Sequence, residues 1–372
     1  MRRTIAWISL AVAVCLTIAL GLTLTAARQP ASPVVELTAG KVGLKSAGAL
    51  AFGPSGILFV GDSVAGNLVA IDTEDTKTPA SAVKINVNGV DAKIAALVGI
   101  PADQLVVNDV AVNPMSKNVY LSAARGRNPD AMPLIVRVDA SGTVTPLNLD
   151  NAKHAAVSLS DAPAGDPSSR QRMQTITDMV YISGNVMVAG LSNEEWSSAL
   201  RSIPYPFTAA PKGATLQIWH SSHGQYETMS PIRTFTPYTI SGQQYVLAAY
   251  TCTPLVKIAV NQLKPGAKVK GVEIADLGAG NQPLDMVPYK KDGHEYILIA
   301  NSSYGVVKLR ADKLESYPAI DSPTVTDVAG VPYDKISSVR DVRHLAQIDD
   351  SNVLLVMGKN GGASSLQTMA LP

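Results

Sequence analysis

Cysteine is almost absent from this sequence. Among 372 residues only Cys15 and Cys252 are cysteines, and Cys15 lies within an apolar run near the N-terminus. If that run is removed on export, Cys252 has no partner for an internal disulfide. The fold must therefore be stabilised by its hydrophobic core, although the expected compartment would permit a disulfide.

Charged and aromatic side chains are also scarce. Asp, Glu, Lys and Arg make up 16% of the chain, aromatic residues make up 5%, and the formal net charge is +1. The sequence has no basic run that would neutralise a phosphate backbone, which argues against nucleic acid as the main partner. Hydrophobic residues reach 46%, which is typical of a large folded core and not of a disordered chain.

Several motifs that carry chemistry are missing. The sequence has no C-x-x-C-H haem motif, no G-x-S-x-G nucleophile elbow, no Walker loop and no G-x-G-x-x-G following a strand. These absences argue against the common haem, serine-hydrolase, nucleotide and dinucleotide sites. Whether the protein is an enzyme therefore stays open from sequence.

One long hydrophobic run occurs, at residues 5–22. Arg2 and Arg3 precede it and small residues follow it, a pattern that predicts a secretory signal over residues 1–27. An uncleaved membrane anchor is the alternative, because the run is long for a cleaved signal. Residues 28–33 are a linker. We expect an exported protein, periplasmic or extracellular, that contacts a membrane only if residues 5–22 are retained.

A pattern of short strands recurs through the rest of the chain. It is clearest in ALAFGPSGILFVGDSVAGNLVAIDT, residues 49–73, where apolar runs alternate with Gly, Pro, Asp and Ser clusters. Six such units follow one another at intervals of about 50–70 residues. Their inner strands begin near Ala49, Asp109, Asp178, Thr234, Asp285 and Asp341. The period predicts an all-β fold, a β-propeller of six four-stranded blades over residues 34–372.

The ends of the chain bear on how this ring closes. The last unit has three clear strands, so we expect an N-terminal strand at residues 34–37 to complete that blade. Residues 82–87 are assigned to the fourth strand of the first blade. A seven-bladed ring is the alternative if residues 314–327 hide further strands. Residues 190–213 are the largest insertion, and the whole is expected to be one monomeric domain.

An aspartate opens four of the six inner strands. Carboxylates that converge on the central channel of a propeller repel one another unless something neutralises them. A hard divalent cation with oxygen ligands, Ca²⁺ in particular, would do so. The alternative is that each aspartate accepts backbone N–H bonds at a turn. The candidate metal ligands are Asp109, Asp178, Asp285 and Asp341.

Loops expected on the same face supply a second set of candidates. The insertion contains LSNEEWSSALRSIPYPF, which concentrates aromatic and polar side chains, and long ordered insertions are commonly lids or binding loops. Asn193 is expected to cap a short helix over residues 195–200. Packing of the aromatics onto neighbouring blades is the alternative. The candidate ligand-binding residues are Asn193, Glu194, Glu195, Trp196, Arg201, Tyr205, Cys252 and Asn301.

His220 and His223 form an H-x-x-H pair. In a helix this spacing can bind zinc, but here it spans the tip of an expected hairpin on the face opposite the aspartates. We identified no third ligand nearby in the sequence. Two ordinary turn histidines are therefore the favoured interpretation.

Three segments carry a resemblance to known propellers, namely ALAFGPSGILFVGD, VNDVAVNPMSKNVYLS and PLDMVPYKKDGHEYILIAN. In this pattern the chain resembles exported bacterial propellers of the NHL and gluconolactonase-like type over most of residues 45–370. The resemblance implies a central divalent cation held by acidic and Asn side chains, and lactone hydrolysis. Two functions stay open: a module that binds a protein, glycan or small molecule on its polar central face, and a metal-dependent hydrolase or lactonase that uses the aspartates.

Overall fold

The structure is a computed structural model that describes residues 34–127, 131–166, 168–252, 254–324, 328–359 and 362–372. The expected signal or anchor segment at 1–27 and the expected linker at 28–33 lie outside these residues. Within them, two α-helices are present, α1 (Val90–Val98) and α2 (Arg170–Met173). Neither they nor the shorter 3-10 turns have the length and apolarity that a membrane span requires.

Strands account for most of the regular structure. The first nine are β1 (Thr38–Gly40), β2 (Leu50–Phe52), β3 (Ile57–Asp62), β4 (Asn67–Asp72), β5 (Leu105–Val112), β6 (Val119–Arg125), β7 (Met132–Val138), β8 (Val144–Pro146) and β9 (Ala152–Ser158). The next ten are β10 (Asp178–Ile182), β11 (Asn185–Leu191), β12 (Ser198–Pro204), β13 (Ala214–His220), β14 (Gln225–Glu227), β15 (Thr234–Ile240), β16 (Gln243–Ala249), β17 (Pro254–Ala259), β18 (Lys268–Lys270) and β19 (Val272–Asp276). The last eight are β20 (Pro283–Lys291), β21 (His294–Asn301), β22 (Gly305–Arg310), β23 (Ala329–Gly330), β24 (Tyr333–Lys335), β25 (Val342–Gln347), β26 (Asn352–Met357) and β27 (Ser365–Ala370).

These strands form six sheets, each of which is one blade of a propeller. Numbered by the chain position of their inner strands, and read from the channel outwards, blade 1 is β2-β3-β4-β9-β1 and blade 2 is β5-β6-β7-β8. Blade 3 is β10-β11-β12-β13-β14 with β18 beside β13, and blade 4 is β15-β16-β17-β19-β23. Blade 5 is β20-β21-β22-β24 and blade 6 is β25-β26-β27. The predicted all-β, six-bladed propeller is confirmed.

Alternation along the strands explains how the blades pack. In β3 all six residues are buried. Leu58 and Val60 belong to the apolar cluster shared with blade 2, whereas Ile57 and Phe59 belong to the cluster shared with blade 3. Since successive side chains in a strand point to opposite faces, an unbroken apolar run fills the core on both sides of one blade.

The order of blades around the ring differs from their order along the chain. Blade 1 lies between blades 2 and 3, and blade 2 packs against blade 6. The cause is β9, which follows blade 2 in sequence but pairs with β4, so that Asn67 faces Ser158. The chain therefore returns across the outer edge of blade 1 before it forms blade 3 on the other side.

Ring closure also differs from the expectation. Residues 34–37 form no strand, and the adjacent β1 pairs with β9 at the outer edge of blade 1. The fourth element of blade 6 is instead the segment at 82–87, where Val87 bridges Leu366 and the Ile85 N–H donates to Thr368 Oγ1 at 2.7 Å. The expected closure by the N-terminal strand is wrong, because both segments pair with neighbours that are distant in sequence.

The expected insertion contains a regular strand of blade 3. Residues 198–204 are β12, paired with β11 from Leu191↔Ser198 to Asn185↔Pro204, and the expected helix at 195–200 is not present. With β12 as third strand, β13 becomes the fourth. In an antiparallel blade, the fourth strand ends on the face where the inner strand begins. The hairpin at residues 220–225 therefore lies on the face of the aspartates, not opposite them.

Candidate functional site

Six equivalent positions open the inner strands around the central channel. They are occupied, in ring order, by Asp109 of blade 2, Ala49 of blade 1, Asp178 of blade 3, Thr234 of blade 4, Asp285 of blade 5 and His344 of blade 6. An aspartate thus stands on every second blade. We call Asp109, Asp178 and Asp285 the aspartate ring.

Each aspartate of this ring connects two blades. Asp178 accepts the N–H of Met179 at 2.7 Å and, with its other oxygen, the N–H of Phe235 in blade 4 at 2.8 Å. Asp109 does the same between blades 2 and 1, and Asp285 between blades 5 and 6. The aspartates therefore hold neighbouring inner strands together.

The side chain that precedes a ring position reinforces this connection in three blades. Asn108 donates to the Ala47 carbonyl at 2.8 Å, and Thr177 Oγ1 donates to the Ile232 carbonyl at 2.6 Å. Arg343 donates to the Val107 carbonyl at 2.8 Å. Each bond runs from one blade to the next around the ring.

Asp341 is not part of this ring. It is exposed at a turn with φ +55°, and the ring position of blade 6 belongs to His344. The register of β25 against β26 shifts between Val342 and His344, as the registers of the inner strands of blades 2 and 5 shift directly before Asp109 and Asp285. This shared bulge identifies His344 as the equivalent position. The expected four-aspartate set is therefore three aspartates and a histidine.

The buried carboxylates are electrostatically unfavourable. Burial, followed by the charge of Asp178, raises the pKa of Asp109 to about 8. Burial raises the pKa of Asp178 to about 6 against the pull of its N–H bonds. Burial and the charges of Asp109 and Asp178 raise the pKa of Asp285 well above its usual range. The ring consequently favours a bound proton or cation over three uncompensated charges.

A neutral imidazole faces two of these carboxylates. His344 Nδ1 lies 3.5 Å from Asp109 Oδ1 and 4.0 Å from Asp285 Oδ2. Burial and the nearby Arg343 lower the pKa of His344 to about 3. The three ligand atoms lie within 4.8 Å of one another. A nitrogen beside two carboxylate oxygens suits a divalent transition metal better than Ca²⁺.

A cavity opens at the other end of the channel, where the inner strands of blades 3 to 6 end. Its volume is about 860 Å³, within the range of small-molecule sites. Tyr238, Tyr245 and Tyr289 line it together with aliphatic and amide side chains. We call this space the tyrosine cavity. Its further lining comes from Ile182, Asn185, Met187, Ser202, Gln244, Val260, Leu263 and Gln347.

The polar groups at this cavity are largely paired with one another. Lys290 Nζ lies 2.6 Å from Glu295 Oε1, and Tyr238 donates its hydroxyl to the other oxygen of Glu295. Tyr289 donates to the Pro372 carbonyl at 2.6 Å. Burial raises the pKa of Tyr238 and of Tyr289, so both hydroxyls stay protonated at neutral pH. Apart from the exposed Asp350, the charged groups of the lining cancel, so the cavity combines aromatic faces with hydrogen-bonding groups of little net charge.

Sequence analysis missed these tyrosines, although a signal exists. Tyr238 follows Thr234 by four residues and Tyr289 follows Asp285 by four. An even spacing keeps both members of each pair on one face of the strand. This spacing, a ring position followed four residues later by a tyrosine, occurs in two blades and would have indicated a second candidate site at the opposite end of the channel.

The candidate residues at 193–196 of the insertion are not among those that line the tyrosine cavity or form the aspartate ring. Lys212 pairs with Glu194 at 2.7 Å, and Lys268 pairs with Glu195 at 2.7 Å while its ammonium lies 5.1 Å from the Trp196 ring centre. Asn193 is exposed on the same loop, held by its N–H to the Asp161 carbonyl. These contacts tie the loop to neighbouring chain segments at the surface.

Arg201 and Tyr205 are parts of the core. The Arg201 side chain is 0% exposed, and its Nε lies 2.7 Å from Asp161 Oδ1. Its other nitrogens donate to the carbonyls of Thr175 and Leu191. Tyr205 packs edge-on against Phe59 at 4.9 Å between ring centres. Packing, the alternative interpretation of this segment, accounts for both side chains.

Cys252 and Asn301 hold turns on the face of the aspartate ring. Cys252 has φ +64° and donates its N–H to the Asn281 carbonyl at 2.9 Å. Asn301 is 1% exposed, and its Oδ1 accepts the N–H groups of Ser303 and Tyr304. Neither side chain lines the tyrosine cavity.

Comparisons with known proteins give low similarity throughout. No protein-family model matches the chain, and no curated protein matches it in sequence. Among solved structures, a putative oxidoreductase (glucose dehydrogenase) of Thermus thermophilus is 12% identical over 90% of this chain and 100% of its own, with a TM-score of 0.36. The PQQ-bound aldose sugar dehydrogenase of Streptomyces coelicolor is 12% identical over 91% and 99%, with a TM-score of 0.33. The plexin A4 extracellular region is 8% identical over 91% and 51%, with a TM-score of 0.40. These values do not assign the chain to a family.

Proposed function

We propose that this protein is an exported binding module and that its ligand is a small, uncharged, ring-containing molecule held in the tyrosine cavity. The observation that supports the proposal is the cavity itself, about 860 Å³ in volume and lined by three tyrosines. Tyrosine offers a flat apolar face and a hydroxyl, and therefore suits ligands with both a ring and hydrogen-bonding groups. The opposite charges of Lys290 and Glu295, 2.6 Å apart, favour a neutral ligand.

The location revises the binding surface that the sequence suggested. The insertion residues engage other parts of the chain through Lys212 and Lys268, and Arg201 is enclosed. The tyrosine cavity, by contrast, is an open space of about 860 Å³ with three tyrosines in its lining. Preformed concave sites of this kind are the usual positions of small-molecule binding.

Filling the cavity should abolish binding. Ser202 lies on β12, is exposed and lines the cavity, so we expect Ser202→Trp to weaken the binding of Nile red, a neutral polarity-sensitive dye, by at least about tenfold, equivalent to about 1.4 kcal/mol. The measurement is a fluorescence titration of wild type and variant. A panel of neutral sugars, nucleosides and aromatic alcohols, scored by the unfolding temperature, then narrows the ligand class.

A matched variant separates cavity filling from a general effect of tryptophan. Thr145 is an exposed residue of β8 in blade 2, and Thr145→Trp should leave dye binding unchanged. Equal dye affinities of Ser202→Trp and wild type, or no saturable binding by wild type, would refute the proposed ligand site.

A second candidate is a metal-dependent hydrolase that operates at the aspartate ring. The observation that favours it is the convergence of Asp109, Asp285 and His344 within 4.8 Å. A divalent ion there would polarise a carbonyl or activate water, in line with the lactonase activity that the sequence resemblance implies. The N–H bonds already made by the carboxylates favour the binding module, because they give the aspartates a structural role without an ion.

A further inference from the structure

His220 is buried without the hydrogen bonds that a buried imidazole requires. Its side chain is 1% exposed. Its Nε2 has no hydrogen-bond partner among the described residues, and at Nδ1 the Glu227 Oε1 atom lies 3.1 Å away but out of hydrogen-bonding alignment. A buried polar group without a partner costs free energy, and such cases call for an explanation. In this hairpin, two further metal-ligating side chains lie directly beside the ring.

The hairpin of β13 and β14 brings these side chains together. Ile218 pairs with Glu227, and His220 is two residues further along β13, so that His220 and Glu227 project from the same face. Glu227 Oε1 lies 3.1 Å from His220 Nδ1 and 2.6 Å from His223 Nδ1. The two imidazole ring centres are 3.9 Å apart, and the three ligand atoms lie within 4.8 Å of one another.

We propose that His220, His223 and Glu227 bind a divalent transition-metal ion, with zinc as the best fit. Zinc bonds of about 2.0–2.1 Å in tetrahedral geometry place neighbouring ligand atoms about 3.3 Å apart. The separation of 3.1 Å between Glu227 and His220 is near this value, and the separation of 2.6 Å between Glu227 and His223 lengthens when an ion binds. Two imidazoles and one carboxylate leave a fourth position. The His223 side chain is 43% exposed, so that this position opens to solvent and can hold water.

The surroundings of the hairpin support a cation. Ser230 donates its hydroxyl to Glu227 Oε2 at 2.8 Å, which fixes the carboxylate with its other oxygen facing the histidines. Outer contacts of this kind orient metal ligands and strengthen binding. Behind the site, Ser221 donates to both Glu273 and Asp276, which places two further acidic groups near the proposed ion.

The third ligand was available in the sequence as H-x-x-H-x-x-x-E. It was missed because the hairpin was assigned to the third and fourth strands of blade 3, whereas β12 is the third. The β13–β14 hairpin is therefore an additional outer element on the face of the aspartate ring. The proposed site is separate from the tyrosine cavity, and its test does not depend on a ligand there.

The test is a zinc titration of the protein without a polyhistidine tag, after treatment with EDTA, in competition with a chromophoric chelator. We expect one equivalent of zinc to bind. His223→Ala and Glu227→Gln should each weaken zinc affinity by more than about 100-fold, and Ser230→Ala by about tenfold. Co²⁺ bound in place of zinc should show the strong visible absorption of a four-coordinate site, and His223→Ala should remove it. Substitution of His220 is avoided because that side chain is fully buried.

His294 provides the control. Its side chain is 42% exposed and lies 3.1 Å from Asp312, so it matches His223 in exposure and in its acidic neighbour but has no second histidine. His294→Ala should leave zinc affinity unchanged. The proposal is overturned if wild type takes up no stoichiometric zinc, if both ligand variants bind as wild type does, or if His294→Ala loses zinc to the same extent.

Discussion

Replacing Arg201 by methionine should lower the free energy of unfolding by about 3–5 kcal/mol, the usual cost of removing one partner from a buried ion pair. Arg201 and Asp161 are 0% and 2% exposed and lie 2.7 Å apart. Without the guanidinium, the Asp161 carboxylate would stay buried with the N–H of Gly213 as its remaining hydrogen-bond donor. The carbonyls of Thr175 and Leu191 would also lose their donors.

Urea unfolding measures this effect. The matched control is Lys212→Met, which breaks the exposed pair with Glu194 in the same segment and should cost less than about 1 kcal/mol. Similar urea midpoints of unfolding for the two variants would show that the Arg201–Asp161 ion pair does not stabilise the fold more than the exposed pair does. If Arg201→Met folds with wild-type stability and loses dye binding, the earlier assignment of Arg201 to a ligand site is restored.

The stability of the protein should decline at alkaline pH because of the aspartate ring. The folded pKa of Asp109 is raised to about 8, above its unfolded value, so its favourable contribution is present at low pH and is lost as pH rises through about 8. Asp285 acts in the same direction. His344 has the opposite effect on stability. Its folded pKa of about 3 lies below its unfolded value, so its contribution to stability is lost as the pH falls below about 6.5.

Since one pKa unit corresponds to about 1.4 kcal/mol, and His344 offsets the aspartates only below about pH 6.5, we expect the free energy of unfolding to fall by about 2 kcal/mol or more between pH 6.5 and pH 9. Urea unfolding in EDTA across this range measures the decline. Asp109→Asn should flatten it, whereas Asp150→Asn, at a side chain that is 88% exposed, should not. A decline that is identical in wild type and Asp109→Asn would contradict the account of the ring.

The same experiment tests the second candidate function. A divalent ion held by Asp109, Asp285 and His344 would stabilise the ionised carboxylates and remove the alkaline decline. Millimolar Mn²⁺, Zn²⁺ or Ca²⁺ added in place of EDTA distinguishes these cases. Removal of the decline in wild type but not in Asp285→Asn would place the ion in the channel and not at the β13–β14 hairpin.

The blades were predictable because their strands carry a local signal. Short apolar runs such as β3, bounded by Gly53 and Gly61, identify strands, and six repeats of the pattern identify a propeller. The ring order was not predictable in this way. It follows from the pairing of β4 with β9, which are separated by all of blade 2, and no local pattern specifies a partner at that distance.

The residues of the candidate site were likewise predictable where the signal is local and not predictable where it depends on distant contacts. Three ring aspartates were identified from their positions, but Asp341 was assigned to blade 6 because it is an acidic residue near the start of the inner strand, whereas the equivalent position, His344, is three residues further on. Arg201 was assigned to a surface loop. Its buried partner, Asp161, lies 40 residues away in the sequence, and no local pattern indicates that the two side chains meet. The segment that contains β12 is rich in Ser and Glu. Because of this polarity, it was assigned to an insertion and not to a strand.

A crystal structure with the strongest binder from the neutral-compound panel would show where the ligand binds. We expect ligand density between Tyr238, Tyr245 and Tyr289, with hydrogen bonds to the amide side chains that line the cavity. Density beside Asp109 and His344, or on the loop that carries Trp196, with the tyrosine cavity empty, would refute the proposed ligand site.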